Sequence, residues 1–192
     1  METRTVKALD ETTWEAYADL MARNNGGFMG CYCTWFHPHV PERGVTHEGN
    51  RAYKQRLVRE GVAHAALVFE GDEAVAWATF GTPDEVPTMK HAKQYDATVV
   101  TPPDYRITCV YVDRKHRGAG LSLIAVQGAL DLIAAAGGGV VESYPRDTGG
   151  VKIGRAASLE NSTRDVFEEA GFTYDRPKGQ FNCVMTKTVA PA

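Results

Sequence analysis

The segment YRITCVYVDRKHRGAGLSLIAV, residues 105–126, decides the fold class of this chain. Its first eight residues are mostly apolar, aromatic or β-branched and predict a strand. The run Arg117–Gly120 then opens a helix that continues to about Ala136 and is apolar on most sides, which is typical of a core helix. A strand that leads through a glycine-rich turn into a buried helix indicates an α/β protein.

Further strands and helices are predicted on both sides of this segment. Upstream, the pattern predicts a strand over 3–8, a helix from Thr12 or Thr13 to about Asn25, a helix over 50–60, and a hairpin of strands over 63–69 and 74–80. Downstream, it predicts strands near 140–142, 172–174 and 181–187 and a helix over 162–170. Residues 28–49 and 81–103 show no clear period and are expected to form loops.

Length and composition place the chain among soluble globular proteins. The 192 residues suit one domain, 1–192, and the net charge of −3 provides no broad positive field for nucleic acid or a membrane surface. The first residues lack the apolar core of a signal peptide, and no apolar run could span a bilayer, so we expect a cytoplasmic protein. The four cysteines are expected to be free thiols in that compartment.

The glycine-rich turn Arg117–Gly120 is a candidate phosphate site. Backbone N–H groups at a helix start lack intrahelical partners, the helix dipole favours an anion, and glycines permit close approach. A dinucleotide fingerprint would need glycine where Leu123 stands, and a nucleotide P-loop would need Gly-Lys-Ser/Thr, which is absent. A tight strand-to-helix connection without a ligand is the alternative interpretation.

Two motifs resemble those of the GNAT superfamily of acetyltransferases. Arg117-x-x-Gly120-x-Ser122 is similar to the Arg/Gln-x-x-Gly-x-Gly/Ala signature that follows an apolar strand in that superfamily, with serine at the last position. The segment from Asn161 to Phe172 resembles the carboxyl-terminal motif Asn-x-x-Ala-x-x-x-Tyr-x-x-x-Gly-Phe, with departures at Arg164 and Phe167. The resemblance covers roughly Ala63 to Lys187.

The resemblance implies a fold and a cosubstrate. The fold is a single mixed and mostly antiparallel central sheet flanked by helices, and the cosubstrate is acetyl-CoA, without a metal. Val110 and Val112 would bind the pantetheine arm through their backbones, and Asn161 and Phe167 would flank that arm. The residues that would hold the pyrophosphate are Arg117, Gly118, Ala119, Gly120, Leu121 and Ser122.

Catalysis by direct transfer requires a base, because the acceptor amine must lose a proton before it attacks. Many GNAT enzymes use a glutamate early on the strand before the motif, where this chain has Arg106. Glu142, on the next strand, is the leading candidate for base or amine anchor, and a solvent-facing carboxylate is the alternative. Phe167 stands where relatives have a proton-donating tyrosine, so Tyr144 is a candidate donor, although a thiolate can also leave unassisted.

The loop over residues 28–49 is expected to form the wall of the acceptor pocket, because the amino-terminal helices and their loop do so in the superfamily. Its candidate substrate-binding residues are Trp35, Phe36 and His37. Asp104 and Asp147 are possible anchors for a cationic acceptor. Cys31-x-Cys33 and His37-x-His39 do not have the usual spacing of a structural zinc site, so no metal is expected.

Three functions remain open at this stage. The first is acetylation of a primary amine of a small molecule, such as an amino sugar, an aminoglycoside-type antibiotic, a polyamine or an amino acid. The second is acetylation of a protein or peptide, and the third is a non-catalytic module that binds acyl-CoA. A homodimer is compatible with each of them.

Overall fold

The computed structural model describes residues 4–27, 30–41, 43–149 and 160–192. The strands are β1 (Arg4–Ala8), β2 (His64–Glu70), β3 (Glu73–Gly81), β4 (Tyr105–Val112), β5 (Gly139–Ser143), β6 (Thr173–Lys178) and β7 (Asn182–Val189). The helices are α1 (Trp14–Arg23), α2 (His47–Arg59), α3 (Ala92–Asp96), α4 (Leu121–Ala135) and α5 (Arg164–Glu169).

All seven strands form one sheet in the order β1-β2-β3-β4-β5-β7-β6. Every neighbouring pair is antiparallel except β4 and β5, which are parallel. The prediction of a mixed, mostly antiparallel sheet flanked by helices is therefore confirmed.

The two faces of the sheet are covered by different helices. The apolar helix α4 packs on one face, over a core that includes Val68, Ile107 and Val141. It lies very close to the sheet at Gly128, where a Cβ atom would stand 2.5 Å from a methyl group of Val6. The other face is covered by α1 and α2, whose core includes Tyr17 and Trp77 in edge-to-face contact at 5.5 Å.

The strands β4 and β5 pair over only three residues each and then separate. Their last pair is Ile107 with Ser143. At the same level β4 contains a bulge, because Cys109 pairs with Thr79 and Ile107 pairs with Phe80, which leaves Thr108 without a partner on β3. A cleft therefore opens between the two strands just beyond the bulge.

Three details differ from the sequence predictions. The helix α3 lies in a region that was expected to be a loop, and a short 3₁₀ turn, Arg114–His116, separates β4 from the glycine-rich turn. The helix α2 begins at His47, three residues before the predicted start. The hydroxyl of Thr46 accepts a hydrogen bond from Gly49 N–H at 2.9 Å and so caps this helix.

Within the described part of the chain, no helix is both long enough and apolar enough to cross a bilayer.

Candidate active site

A cavity of about 250 Å³ lies where β4 and β5 separate. Its aromatic and apolar lining consists of Trp35, Phe36, Met89, Tyr144 and Phe181. Its polar lining includes Lys90, Thr108, Arg146, Glu160, Asn161 and Lys178. Five separate regions of the chain thus meet at this point: the loop after α1, the residues before α3, the diverging strands, the residues before α5, and the β6–β7 hairpin.

Two buried polar atoms at the cavity have no hydrogen-bond partner among the described residues. They are the hydroxyl oxygen of Thr108, a residue that is 2% exposed, and the amide oxygen of Asn161, which is 6% exposed. The amide nitrogen of Asn161 is fixed by hydrogen bonds to Ile107 O at 2.9 Å and to the Ser143 hydroxyl at 2.8 Å. Unpaired buried polar atoms cost free energy, so both positions favour a ligand with hydrogen-bonding groups.

The edge of β4 at Val110 is already paired with the chain itself. The N–H of Val110 donates to the carbonyl of Glu160 at 3.0 Å, and Asn161 forms a parallel bridge with Val110. The resemblance assigned this edge, at Val110 and Val112, to the pantetheine arm. A ligand could accept a hydrogen bond from Val110 N–H only if the Glu160 carbonyl moved away.

The glycine-rich turn is exposed at the start of α4, beside the same strand. Gly118 and Gly120 have φ values of +85° and +76°, which favour glycine, and a Cβ atom on either would point into open space. Gly120 precedes the helix and provides no side chain to cap the N–H groups of Leu121 and Ser122. Ala119 is tied down by a hydrogen bond of 3.0 Å from Arg4 to its carbonyl.

The base of this turn is fixed by Asp113. Burial raises the pKa of Asp113, but hydrogen bonds from Lys115 N–H, Arg23 and Asn24 outweigh it and hold the pKa at about 2. The guanidinium of Arg23 lies 2.7 Å from this carboxylate and so links α1 to the end of β4. Arg117 remains exposed, with its guanidinium 5.8 Å from the centre of the Tyr111 ring. The turn therefore presents free N–H groups and a positive side chain to solvent, as a phosphate site requires.

Glu142 is buried rather than solvent-facing, and among the described residues Tyr144 is its hydrogen-bonded link to the cavity. One of its carboxylate oxygens, Oε2, accepts hydrogen bonds from Tyr95 at 2.6 Å and from Tyr144 at 2.8 Å. The other oxygen lies 3.8 Å from the guanidinium of Arg176. Of the two tyrosines, only Tyr144 lines the cavity. Burial raises the pKa of Tyr144 well above its usual range, so its hydroxyl stays protonated.

Trp35 and Phe36 line the cavity as predicted, but their neighbour His37 does not. The His37 ring is 1% exposed; its Nδ1 pairs with Glu85 O at 2.9 Å and its Nε2 with Lys54 Nζ at 2.8 Å. Because a carbonyl only accepts and an ammonium only donates, Nδ1 carries the hydrogen and Nε2 is the acceptor. Both ring nitrogens are thus engaged inside the core, away from an acceptor.

The two aspartates suggested as anchors also lie outside the cavity lining. Asp104 precedes β4 and accepts a hydrogen bond from Val140 N–H at 2.7 Å, so it links β4 to β5. Asp147 forms an ion pair with Arg164 at 3.3 Å. Neither is placed to hold a cationic acceptor.

Phe167 is a core residue and does not flank the cavity. It is fully buried in α5, and its ring meets Phe172 edge-on at a centroid distance of 5.1 Å. The short helix α5 turns this side chain toward the layer of α4. The motif position that the resemblance assigns to a proton-donating tyrosine is therefore occupied in this chain by a buried phenylalanine.

The sequence analysis missed several cavity residues, and most had no sequence signal. Thr108 lines the cavity because of the bulge, and a single polar residue in an apolar strand does not predict one. Lys178 and Phe181 lie in the β6–β7 hairpin, and β7 of this hairpin pairs with β5, which is distant in sequence. Lys178 could have been singled out as a lysine followed by a turn glycine, but nothing in the sequence indicates its burial.

Among residues 4–27, 30–41, 43–149 and 160–192, no group of three or more His, Cys, Asp and Glu side chains could hold a metal ion. Cys31 and Cys33 form no disulfide with each other or with Cys109 and Cys183.

This architecture defines an α/β protein in which two parallel strands, β4 and β5, separate, and in which β4 leads to a turn suited to binding phosphate. The sequence matches no protein-family model and no curated protein. Solved structures, in contrast, match almost the whole chain. An acetyltransferase from Thermus thermophilus has a TM-score of 0.52 at 15% identity and covers 98% of this chain and 99% of its own.

Two further structures are similar to the same extent. A Salmonella typhimurium protein, yncA, in complex with its cofactor acetyl-CoA has a TM-score of 0.54 at 16% identity, with coverage of 98% of this chain and 95% of its own. The ribosomal-protein-S5-alanine acetyltransferase of Vibrio fischeri has a TM-score of 0.55 at 12% identity, with coverage of 98% and 94%. The chain therefore has the fold of the GNAT acetyltransferases.

Proposed function

We propose that this protein, as one domain over residues 1–192, is an N-acetyltransferase that moves an acetyl group from acetyl-CoA to the amine of a small molecule. The unpartnered oxygens of Thr108 and Asn161 support it best, because they lie in a cleft between β4 and β5, and β4 leads on to a turn suited to phosphate. A ligand that reaches from the turn into the cleft would form hydrogen bonds with the N–H groups of the turn and with these two oxygens.

The residues present fit acetyl-CoA. The N–H groups of Leu121 and Ser122 and the side chain of Arg117 would hold the pyrophosphate, with Gly118, Ala119 and Gly120 allowing close approach. Val112 and Asn161 would bind the pantetheine arm, and Val110 would join them once Glu160 O gives up its hydrogen bond. Acetyl-CoA supplies an acetyl thioester.

Tyr144 and Glu142 would move the protons. The Tyr144 hydroxyl donates to Glu142, so its oxygen can accept a proton from an acceptor ammonium in the cavity. As it does so, its own proton passes to Glu142 Oε2. The neutral amine then forms the N–C bond while the C–S bond breaks. The nitrogen loses its second proton to solvent, and Tyr144 returns the first proton to the departing sulfur. Trp35 and Phe36 would exclude water from one side of the acceptor.

Acetylation of a protein or peptide is the second candidate, because structural neighbours include ribosomal-protein acetyltransferases. One assay distinguishes the candidates: acetyl-CoA is incubated with small amines, peptides and the protein, and products are detected by mass spectrometry. We expect a gain of one acetyl group on small amines. Acetylation of peptides alone would favour the second candidate, and tight acetyl-CoA binding without any product would favour a binding module.

We predict that Gly120→Ala weakens acetyl-CoA binding at least tenfold. The new Cβ would project from the turn toward the proposed pyrophosphate, and the left-handed backbone would be strained by about 1–2 kcal/mol. The matched control is Gly71→Ala in the β2–β3 turn, which also has positive φ (+61°) and open space around a Cβ. Calorimetric titration should show a weakened dissociation constant for Gly120→Ala alone. Equal weakening in both variants would assign the effect to stability.

A further inference from the structure

The cavity has an excess of positive charge. Lys90, Arg146 and Lys178 all line it, and Glu160 is the one carboxylate among its described lining residues. That carboxylate is already bound to Lys90 at 2.6 Å. No described carboxylate lies within ion-pair distance of Arg146 or Lys178, and the buried Glu142 acts on Lys178 only from beyond that distance.

Lys178 is 3% exposed, although it carries an ammonium group. Its Nζ donates to the carbonyl of Lys90 and lies 4.9 Å from the centre of the Tyr144 ring. Burial, together with the charge of Arg106, lowers the pKa of Lys178 to about 8. A buried cation that has no carboxylate in direct contact is costly, and a bound anion would reduce that cost.

Arg146 lines the same cavity as Lys178, with its guanidinium 4.9 Å from the centre of the Phe181 ring. Stacking on an aromatic ring fixes the plane of a guanidinium and leaves its N–H edge available. An N–H edge of this kind binds a carboxylate through two parallel hydrogen bonds.

The rest of the wall is apolar. Trp35 and Phe36 meet edge-to-face at a centroid distance of 4.9 Å, and Met89 lies on the same cavity. Trp35 and Phe181 remain 37% and 51% exposed, so both present aromatic surface that an occupant of the cavity could cover. The occupant should therefore combine an anionic group with an apolar body.

We propose that the acceptor is an α-amino acid with an apolar side chain, or a close analogue, and that Arg146 and Lys178 bind its carboxylate. This inference rests on the proposed function and narrows it. Polycationic acceptors such as polyamines and aminoglycosides are disfavoured, because they would bring further positive charge to a lining that already has an excess of it.

The test compares acceptors that differ only in the carboxylate. Phenylalanine, leucine, methionine and tryptophan are each assayed beside the matching amide and the matching decarboxylated amine, with acetyl-CoA as donor. We expect kcat/KM for the preferred acid to exceed that of its amide about 100-fold. An α-amino group next to an amide has a lower pKa and is more often neutral, so acceptor reactivity alone would favour the amide.

Two variants test which side chains produce the preference for the acid over the amide. Arg146→Gln should raise KM for the acid about 30-fold and keep KM for the amide within threefold of wild type. Lys178→Met should also raise the ratio of KM for the acid to KM for the amide. Lys93→Gln is the control, since it removes an exposed lysine of α3 that does not line the cavity. An unchanged ratio of acid to amide in both cavity variants would overturn the assignment of these two side chains.

The outcomes separate the inference from the function on which it rests. If amides, amines or polyamines are acetylated as well as the acids or better, the enzyme stands and the inference is wrong. If no acceptor is acetylated, calorimetric titration of each acid and amide in the presence of CoA decides. Tighter binding of the acid supports the anion site without catalysis, and equal or absent binding overturns it.

Discussion

The free energy of unfolding should fall by about 1.4 kcal/mol per pH unit as the pH decreases from 6.5 to 4.5, because His37 cannot take up a proton in the folded protein. Burial, followed by the positive charge of Lys54, lowers the pKa of His37 to about 2. Protonation would place a second N–H donor against the Lys54 ammonium, whose nitrogen lies 2.8 Å from Nε2.

The sign of this pH dependence follows from the protonation of His37 in the folded and unfolded states. In the unfolded chain the pKa of a histidine is close to 6.5, so unfolding takes up one proton at any pH between about 2 and 6.5. Stability therefore decreases steadily as the pH falls through this range and is restored above pH 6.5. Asp113, with its pKa lowered to about 2, adds a further loss only below about 3.8.

The variant His37→Gln should remove most of this slope. A glutamine amide can donate to Glu85 O and accept from Lys54, but it does not titrate. Urea unfolding followed by tryptophan fluorescence from pH 4.5 to 7.5 measures the slope. His39→Gln, at an exposed histidine two residues away, is the control and should keep the wild-type slope. If His37→Gln kept it as well, a different group would bind the proton.

His37 also shows where sequence reasoning ends. The strand 105–112, the glycine-rich turn and the apolar helix after it follow from local periodicity and turn chemistry, and all three are present as predicted. Trp35, Phe36 and His37 are consecutive in a loop without a period. Nothing local determines that the first two line the cavity and the third enters the core, because loop side chains are oriented by tertiary contacts.

The remaining differences arise from the same cause. The bulge that leaves Thr108 without a partner on β3 depends on how β3 and β4 pair. The position of Lys178 depends on the β6–β7 hairpin, which joins the sheet beside β5. Phe167 stands at the tyrosine position of the motif. Its contacts, however, depend on the six-residue helix α5, whose orientation is set by packing. A motif identifies the element, and the structure determines which way its side chains face.

Tyr144→Phe should lower kcat about 100-fold and leave KM for acetyl-CoA within threefold. Among the described cavity residues, the phenol of Tyr144 is the group that forms a hydrogen bond with the buried carboxylate of Glu142. General acid–base groups typically contribute a factor of 10²–10⁴. The aromatic ring remains in the variant, so packing against Tyr95 at 5.6 Å is preserved. Initial rates of CoA release over pH 6 to 10 measure the effect.

Tyr95→Phe provides a matched control for this prediction. It removes a hydrogen bond of the same kind to the same oxygen of Glu142, but from outside the cavity lining. Turnover should stay within threefold of wild type even if stability declines. Similar losses of kcat in both variants would mean that the tyrosines only hold the carboxylate in place, and full turnover in Tyr144→Phe would exclude the relay.

Glu142→Gln then separates charge from position. An amide oxygen in place of Oε2 can still accept from both tyrosines, so the geometry is retained while the proton acceptor is lost. At neutral pH the rate should fall by a factor of ten or more. The loss should shrink toward pH 10, because more of the acceptor amine is already neutral there and needs no base. A constant deficit across the whole range would instead assign Glu142 a purely structural role, as the counter-ion of Arg176.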